Sequence, residues 1–177
     1  MISEEKYEFL KQLQGELQAF YLLLRTKLQD EQYAQLNQLI SSVRNSMYSV
    51  KSIKDIGSNI TNLSRSSKDI KFDFFISNKK ETEDLYQQFN AYITQHEKAT
   101  FEKLQRLYNN IQNNYSSALN NFYKEAQNAP IEDIDITTVI NFNRELFTLN
   151  KAMLIAVKDF LLEEKQKEDF NEIPLIP

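Results

Sequence analysis

The sequence predicts an all-α fold, an elongated antiparallel bundle of about four long helices, and three observations carry that expectation. Only two glycines and three prolines occur in 177 residues, too little turn chemistry to join the short strands of a sheet. Hydrophobic residues make up 41% of the chain, with twelve Phe and nine Tyr but no Trp, enough apolar surface for long amphipathic helices to pack on one another. Those residues recur at steps of three and four, which puts them on one side of a helix.

The first helix is expected over Glu4–Leu28, capped by Ser3, with a near-heptad seam at Leu10, Leu13, Leu17, Phe20, Tyr21, Leu24 and Leu28. Gly15 interrupts that pattern and costs up to about 1 kcal/mol relative to Ala unless it admits close approach of another helix. Asp30 is a candidate cap for a second helix running to Ser67, close to 60 Å at about 1.5 Å per residue. The aromatic run Phe72–Ile76 reads as a bend plugging the bundle end, since an isolated strand there could not satisfy its backbone. A third helical region opens at Ser77 or Asn78 and ends before Pro130. HEKAT and the Asn-rich segment at 109–114 weaken it, so one helix or two remains open, with a kink at most expected. Asp133 or Asp135 starts the last helix, which runs to about Lys167 on a seam of Val139, Phe142, Leu146, Leu149, Met153, Val157, Phe160 and Leu161. One bundle domain over 1–168 thus precedes an extended or disordered tail at 169–177, which holds two prolines.

The clearest periodicity lies in Leu39–Leu63. Leu39, Ile40, Val43, Met47, Val50, Ile53, Ile60 and Leu63 form its packing stripe, and Arg44, Tyr48, Lys51, Asp55, Asn59 and Asn62 project from the opposite side. Arg44, Lys51 and Lys54 could meet Arg144 and Lys151 if the second and last helices are neighbours, making a basic groove for phosphate, anionic lipid headgroups or an acidic loop. The alternative is that these cations pair with Asp55, Glu145 and similar carboxylates.

Most chemistry is excluded by composition. A net charge of −4 and a pI near 5.2 argue against a nucleic-acid partner, which needs a basic field. Zero Cys removes disulfides, thiolate metal sites and cysteine nucleophiles. His96 is the only histidine, without a Glu-x-x-His pattern or a nucleophile elbow, and is read as structural. The two glycines, Gly15 and Gly57, are too far apart for a phosphate-binding loop. No catalytic residue, cofactor-binding residue or metal ligand is assigned, and the chain is read as a non-enzyme. No apolar run is long enough to span a bilayer, and the acidic N-terminal segment lacks the apolar region of a signal peptide.

The wording VRNSMYSVKSIKDIGSNI resembles the repeat of PhoU-like proteins, in which an acidic residue, Ile-Gly-Asp and a later Asn lie along one helix. Asp55 and Asn59 match the Asp-x-x-x-Asn part. The chain is most similar to the PhoU-like cytoplasmic region that follows the membrane domain in bacterial sodium/phosphate cotransporter-family proteins, over roughly residues 5–165. That resemblance implies a non-catalytic regulatory or interaction domain at the cytoplasmic face of the inner membrane. Its partner would be the membrane domain of the same or another transporter, with phosphate or anionic-lipid contact and room for oligomers. The candidate partner- or anion-binding surface, read from the residues themselves, is Arg44, Lys51, Asp55, Asn59, Arg144 and Lys151. PhoU-like proteins hold metal clusters through repeated carboxylates, but Lys51 stands where the leading carboxylate would be, and Glu145 and Asp159 are off the motif spacing. A cation there repels a divalent ion, so metal is disfavoured. A free-standing helical scaffold or adaptor that binds partner helices is the alternative.

Overall fold

A computed structural model describes residues 4–94, 100–127 and 133–162, and the described residues form six α-helices and no strand. They are α1 (Glu4–Arg25), α2 (Asp30–Asp55), α3 (Gly57–Ser64), α4 (Asp69–Thr94), α5 (Phe101–Ala126) and α6 (Asp133–Leu161). His96, Pro130 and the tail at 169–177 lie outside the described residues.

The six helices replace the expected four because two long stretches divide. The second helix stops at Asp55, where Ile56 adopts φ −84° and ψ 3° and is followed by Gly57, a poor helix former. Hydrogen bonding bridges the break, since Ile56 N–H donates to the Ser52 carbonyl at 3.0 Å and the Ile56 carbonyl accepts from Ile60 N–H at 2.9 Å. The third region becomes α4 and α5, either side of residues 95–99, rather than one kinked helix. Thr100 starts α5, its hydroxyl oxygen accepting from Lys103 N–H at 3.3 Å. The Asn-rich stretch at 109–114 stays helical within α5.

Phe72–Ile76 is neither plug nor bend but the second turn of α4. Phe74 packs inward, whereas Phe72 and Ile76, two residues to either side, are exposed, as a 100° rotation per residue requires. Gln29 rather than Asp30 precedes the second helix, its N–H donating to Gln32 Oε1 at 3.4 Å. Asp30 sits in the first turn, where its charge opposes the positive end of the helix dipole.

Contacts define the order. Helix α1 runs antiparallel to α2, tied by Tyr21 Oη donating to Asn37 Oδ1 at 2.7 Å and by Lys54 Nζ to Glu4 Oε1 at 2.6 Å. Antiparallel α2 and α6 meet through small and polar residues: Ser42 Oγ donates to the Ala156 carbonyl and Ser41 Oγ to Asp159 Oδ2, both at 2.7 Å. Helix α5 runs antiparallel to α6 and to α4, leaving α4 and α6 parallel, with Phe74 against Phe122 at 5.6 Å and against Phe142 at 6.1 Å. Helices α2, α4, α5 and α6 therefore form the bundle, with α3 extending α2 and α1 lying outside on α2.

No residue of α1 is buried. Only one edge of its expected seam, Leu10, Tyr21, Leu24 and Leu28, is partly covered, while Leu13, Leu17 and Phe20 join Phe9 in solvent. Among the described residues no helix is long and apolar enough to cross a membrane.

Candidate functional site

The apolar interior comes in two clusters. Ile56, Leu63, Phe74, Phe122, Val139, Phe142 and Leu149 make one; Leu85, Phe89, Tyr92, Leu104, Leu107, Tyr108, Ile111, Leu154, Val157 and Leu162 make the other. Burying any one of these large side chains contributes roughly 1.5–3 kcal/mol. Between the clusters each of α4, α5 and α6 contributes polar residues to one cleft: Asn78 and Thr82, Asn110 and Asn114, Asn143 and Asn150. The resulting cleft, about 270 Å³, is walled by Leu85, Leu107, Ile111, Leu146 and Phe147 and also lined by Glu81, Asp84 and Gln88.

Two amides in this belt have their nitrogens committed. Asn78 Nδ2 donates to the Phe74 carbonyl one turn back, and Asn143 Nδ2 crosses to the Tyr115 carbonyl on α5, each at 2.8 Å. Both residues are almost wholly buried, and these bonds offset the cost of placing an amide inside a helix bundle. Asn150 is only 8% exposed, yet its Oδ1 has no hydrogen-bond partner. Partial burial raises the pKa of the Glu81 carboxyl above its ordinary value. The sequence did carry a signal for this belt: Asn143 and Asn150 lie seven residues apart beside the last helix's apolar seam.

The outward stripe lies elsewhere, on α2 and α6. Arg44, Tyr48, Lys51 and Asp55 are exposed, and Asn59 is half-buried on α3, across the Ile56 break from Asp55. The resemblance places those two on one helix; here they are on two. The Tyr21 phenol on α1 has its pKa raised, first by its hydrogen bond with Tyr33 and then by burial, and Arg44 opposes that rise only weakly. Lys54 is drawn away to Glu4, whose hydrogen bond raises its pKa, and stands 4.2 Å from the Tyr7 ring centroid. Arg144 Nη2 lies 3.6 Å from Glu145 Oε1, the neutralising arrangement weighed from the sequence. Lys151, half-buried, sits 5.9 Å from the Phe147 ring, and burial lowers its pKa.

On each helix the cationic positions stand roughly 100° from the face meeting the other, in the same rotational sense, by helical geometry. In an antiparallel pair that puts both stripes on one side. With Ser42 beside Ala156, Arg144 falls about level with Asp55, and Lys151 nearer Met47. No group of three or more His, Cys, Asp or Glu able to hold a metal ion occurs among the described residues. The chain was compared with protein-family models, with curated proteins and with solved structures, and none of the three comparisons found a match.

Proposed function

We propose that this chain is a non-catalytic, PhoU-like interaction domain of a sodium-dependent phosphate transporter-family protein, working at the cytoplasmic face of the membrane. The single observation that supports the reading is the stripe of Arg44, Lys51, Arg144 and Lys151, which faces one side of the paired α2 and α6 in a chain whose net charge is −4. Such a face meets an acidic loop of the transporter or an anionic headgroup by charge complementarity, which sets orientation and encounter rate more than affinity. It would alter transport only if the partner's conformational states bind it unequally.

Lys51→Glu combined with Arg144→Glu should abolish membrane co-sedimentation and regulation of transport in cells carrying the full-length gene. Wild-type behaviour of the double variant in both assays would overturn the reading. The exposed Phe9, Leu13, Leu17 and Phe20 of α1 favour a second reading, a free-standing adaptor that binds partner helices. A full-length gene encoding several apolar spans ahead of this region separates the first reading from the second.

A further inference from the structure

Helix α1 carries an apolar face that its contact with α2 does not use. Tyr7, Leu10, Tyr21 and Leu24 are partly covered on the side toward α2. Phe9, Leu13, Leu17, Phe20 and Leu23, at steps of four and three, form a second stripe roughly 90° round the helix. Each is 38–67% exposed, and together they present about 500 Å² per chain, more than isolated surface apolar residues account for. Two such faces come to roughly 1,000 Å², the size at which a specific interface begins. The charges along α1 select what covers the stripe. Residues 4–16 hold four Glu and two Lys, whereas residues 17–27 hold Arg25 and Lys27 and no acid. Asp30 and Glu31 follow on α2, which packs on a different side of α1. Laid antiparallel on a second α1, each acidic half runs along a basic half; laid parallel, like halves meet. Over 4–27 acids and bases balance at four each, so α1 lacks the Lys- and Arg-rich polar face that draws an amphipathic helix onto an anionic bilayer. A face that is apolar in the middle and oppositely charged at its ends is complementary to itself across a two-fold axis, as an isologous dimer requires.

We propose that two copies of this chain pair through α1, antiparallel about a two-fold axis, with Phe9 of each copy near Leu23 of the other and Glu5 near Lys27. The pairing does not rest on the docking face of α2 and α6, and it gives to a second copy the α1 face that the adaptor reading leaves to other helices. Sedimentation equilibrium of the whole chain across the micromolar range tests it, and a reversible dimer of twice 20.9 kDa is expected. Phe9→Gln combined with Phe20→Gln should weaken the pair about tenfold or more, since each copy loses two large apolar contacts. Lys27→Glu should weaken it, and adding Glu5→Lys should restore it, because the exchange reverses both ends in both copies. Glu16→Gln should tighten it, since the midpoint of the stripe brings that carboxylate against its own copy. Far-UV circular dichroism of each variant establishes that it remains helical. A monomer throughout the range overturns the proposal, as does a dimer unaffected by the two Phe substitutions. Open-ended association in place of a dimer, or failure of Glu5→Lys to rescue the Lys27→Glu protein, overturns the antiparallel two-fold arrangement. Flotation with phosphatidylcholine and phosphatidylglycerol vesicles that is lost with the two Phe substitutions gives the face to lipid and overturns the self-pairing.

Discussion

Replacing Asn150 by Leu should stabilise the protein, against the usual direction of a core substitution. Asn150 is 8% exposed and its Oδ1 has no partner, so the folded state carries the desolvation cost of an acceptor that water satisfies in the unfolded chain. That cost is about 1–3 kcal/mol. The adjoining cleft of about 270 Å³ gives a larger side chain room, and Leu146 and Leu107 line the same wall, so overpacking is avoided. A net gain of about 1–2 kcal/mol follows, raising Tm by roughly 2–8 °C at the scaling for a chain of this size. Urea titration separates a stability change from a change in the denatured state: the midpoint should rise at constant slope. An unchanged or lowered midpoint would mean that the Asn150 side-chain carbonyl is satisfied in solution, and the desolvation account would fall with it.

Other substitutions probe other parts of the molecule. Gly15→Ala should stabilise by up to about 1 kcal/mol, because a Cβ at Gly15 meets nothing within 4 Å and the helix gains propensity; a lower melting temperature would point to a contact at that position. Asp159→Ala should cost about 1–3 kcal/mol in urea unfolding, since it removes a carboxylate 3.1 Å from Lys158 Nζ and leaves the Ser41 hydroxyl without its acceptor. A loss below about 1 kcal/mol would place that pair in the weak, solvent-screened class. Glu81 gives a pH test. Its folded pKa is raised by burial, so its contribution to stability is complete below the unfolded carboxylate range and declines as pH rises through the folded value. Glu81→Gln should therefore match the wild type below about pH 4 and be the more stable protein near neutrality, as followed by thermal melts across that range. Equal stability at both ends would refute the desolvation account.

The helical class follows from three- and four-residue spacing, because that spacing states which side of a helix is apolar; that the second and last helices are neighbours does not, since they meet through Ser41, Ser42, Ala156 and Asp159. Where helices stop is written less plainly. Gly57 sits inside an otherwise unbroken apolar pattern, and only the packed environment of Ile56, 2% exposed, shows the main chain leaving the helix there. At Phe72–Ile76 an apparent alternation hides an ordinary helix: period two would put Phe72, Phe74 and Ile76 on one face, whereas the helix buries Phe74 and exposes the other two. The expected seam of α1 rests on spacing, which cannot say how many neighbours a helix has; α1 packs on α2, and Leu13, Leu17 and Phe20 lie in solvent.

The amide belt was harder to foresee for a related reason. Asn143 and Asn150 look like ordinary polar flankers until α4 and α5 bring Asn78, Asn110 and Asn114 to the same level. Once together, they constrain the bundle. Sliding α6 by one turn against α5 would carry Asn143 away from the Tyr115 carbonyl and bury a second unmet amide, while apolar neighbours such as Leu146 would tolerate the shift. Polar groups in an otherwise oily interior thus fix register. Asn150, having no partner, adds nothing to that register. Its buried acceptor is a desolvation cost that the surrounding architecture leaves unmatched, which is the ground for expecting Asn150→Leu to stabilise the bundle.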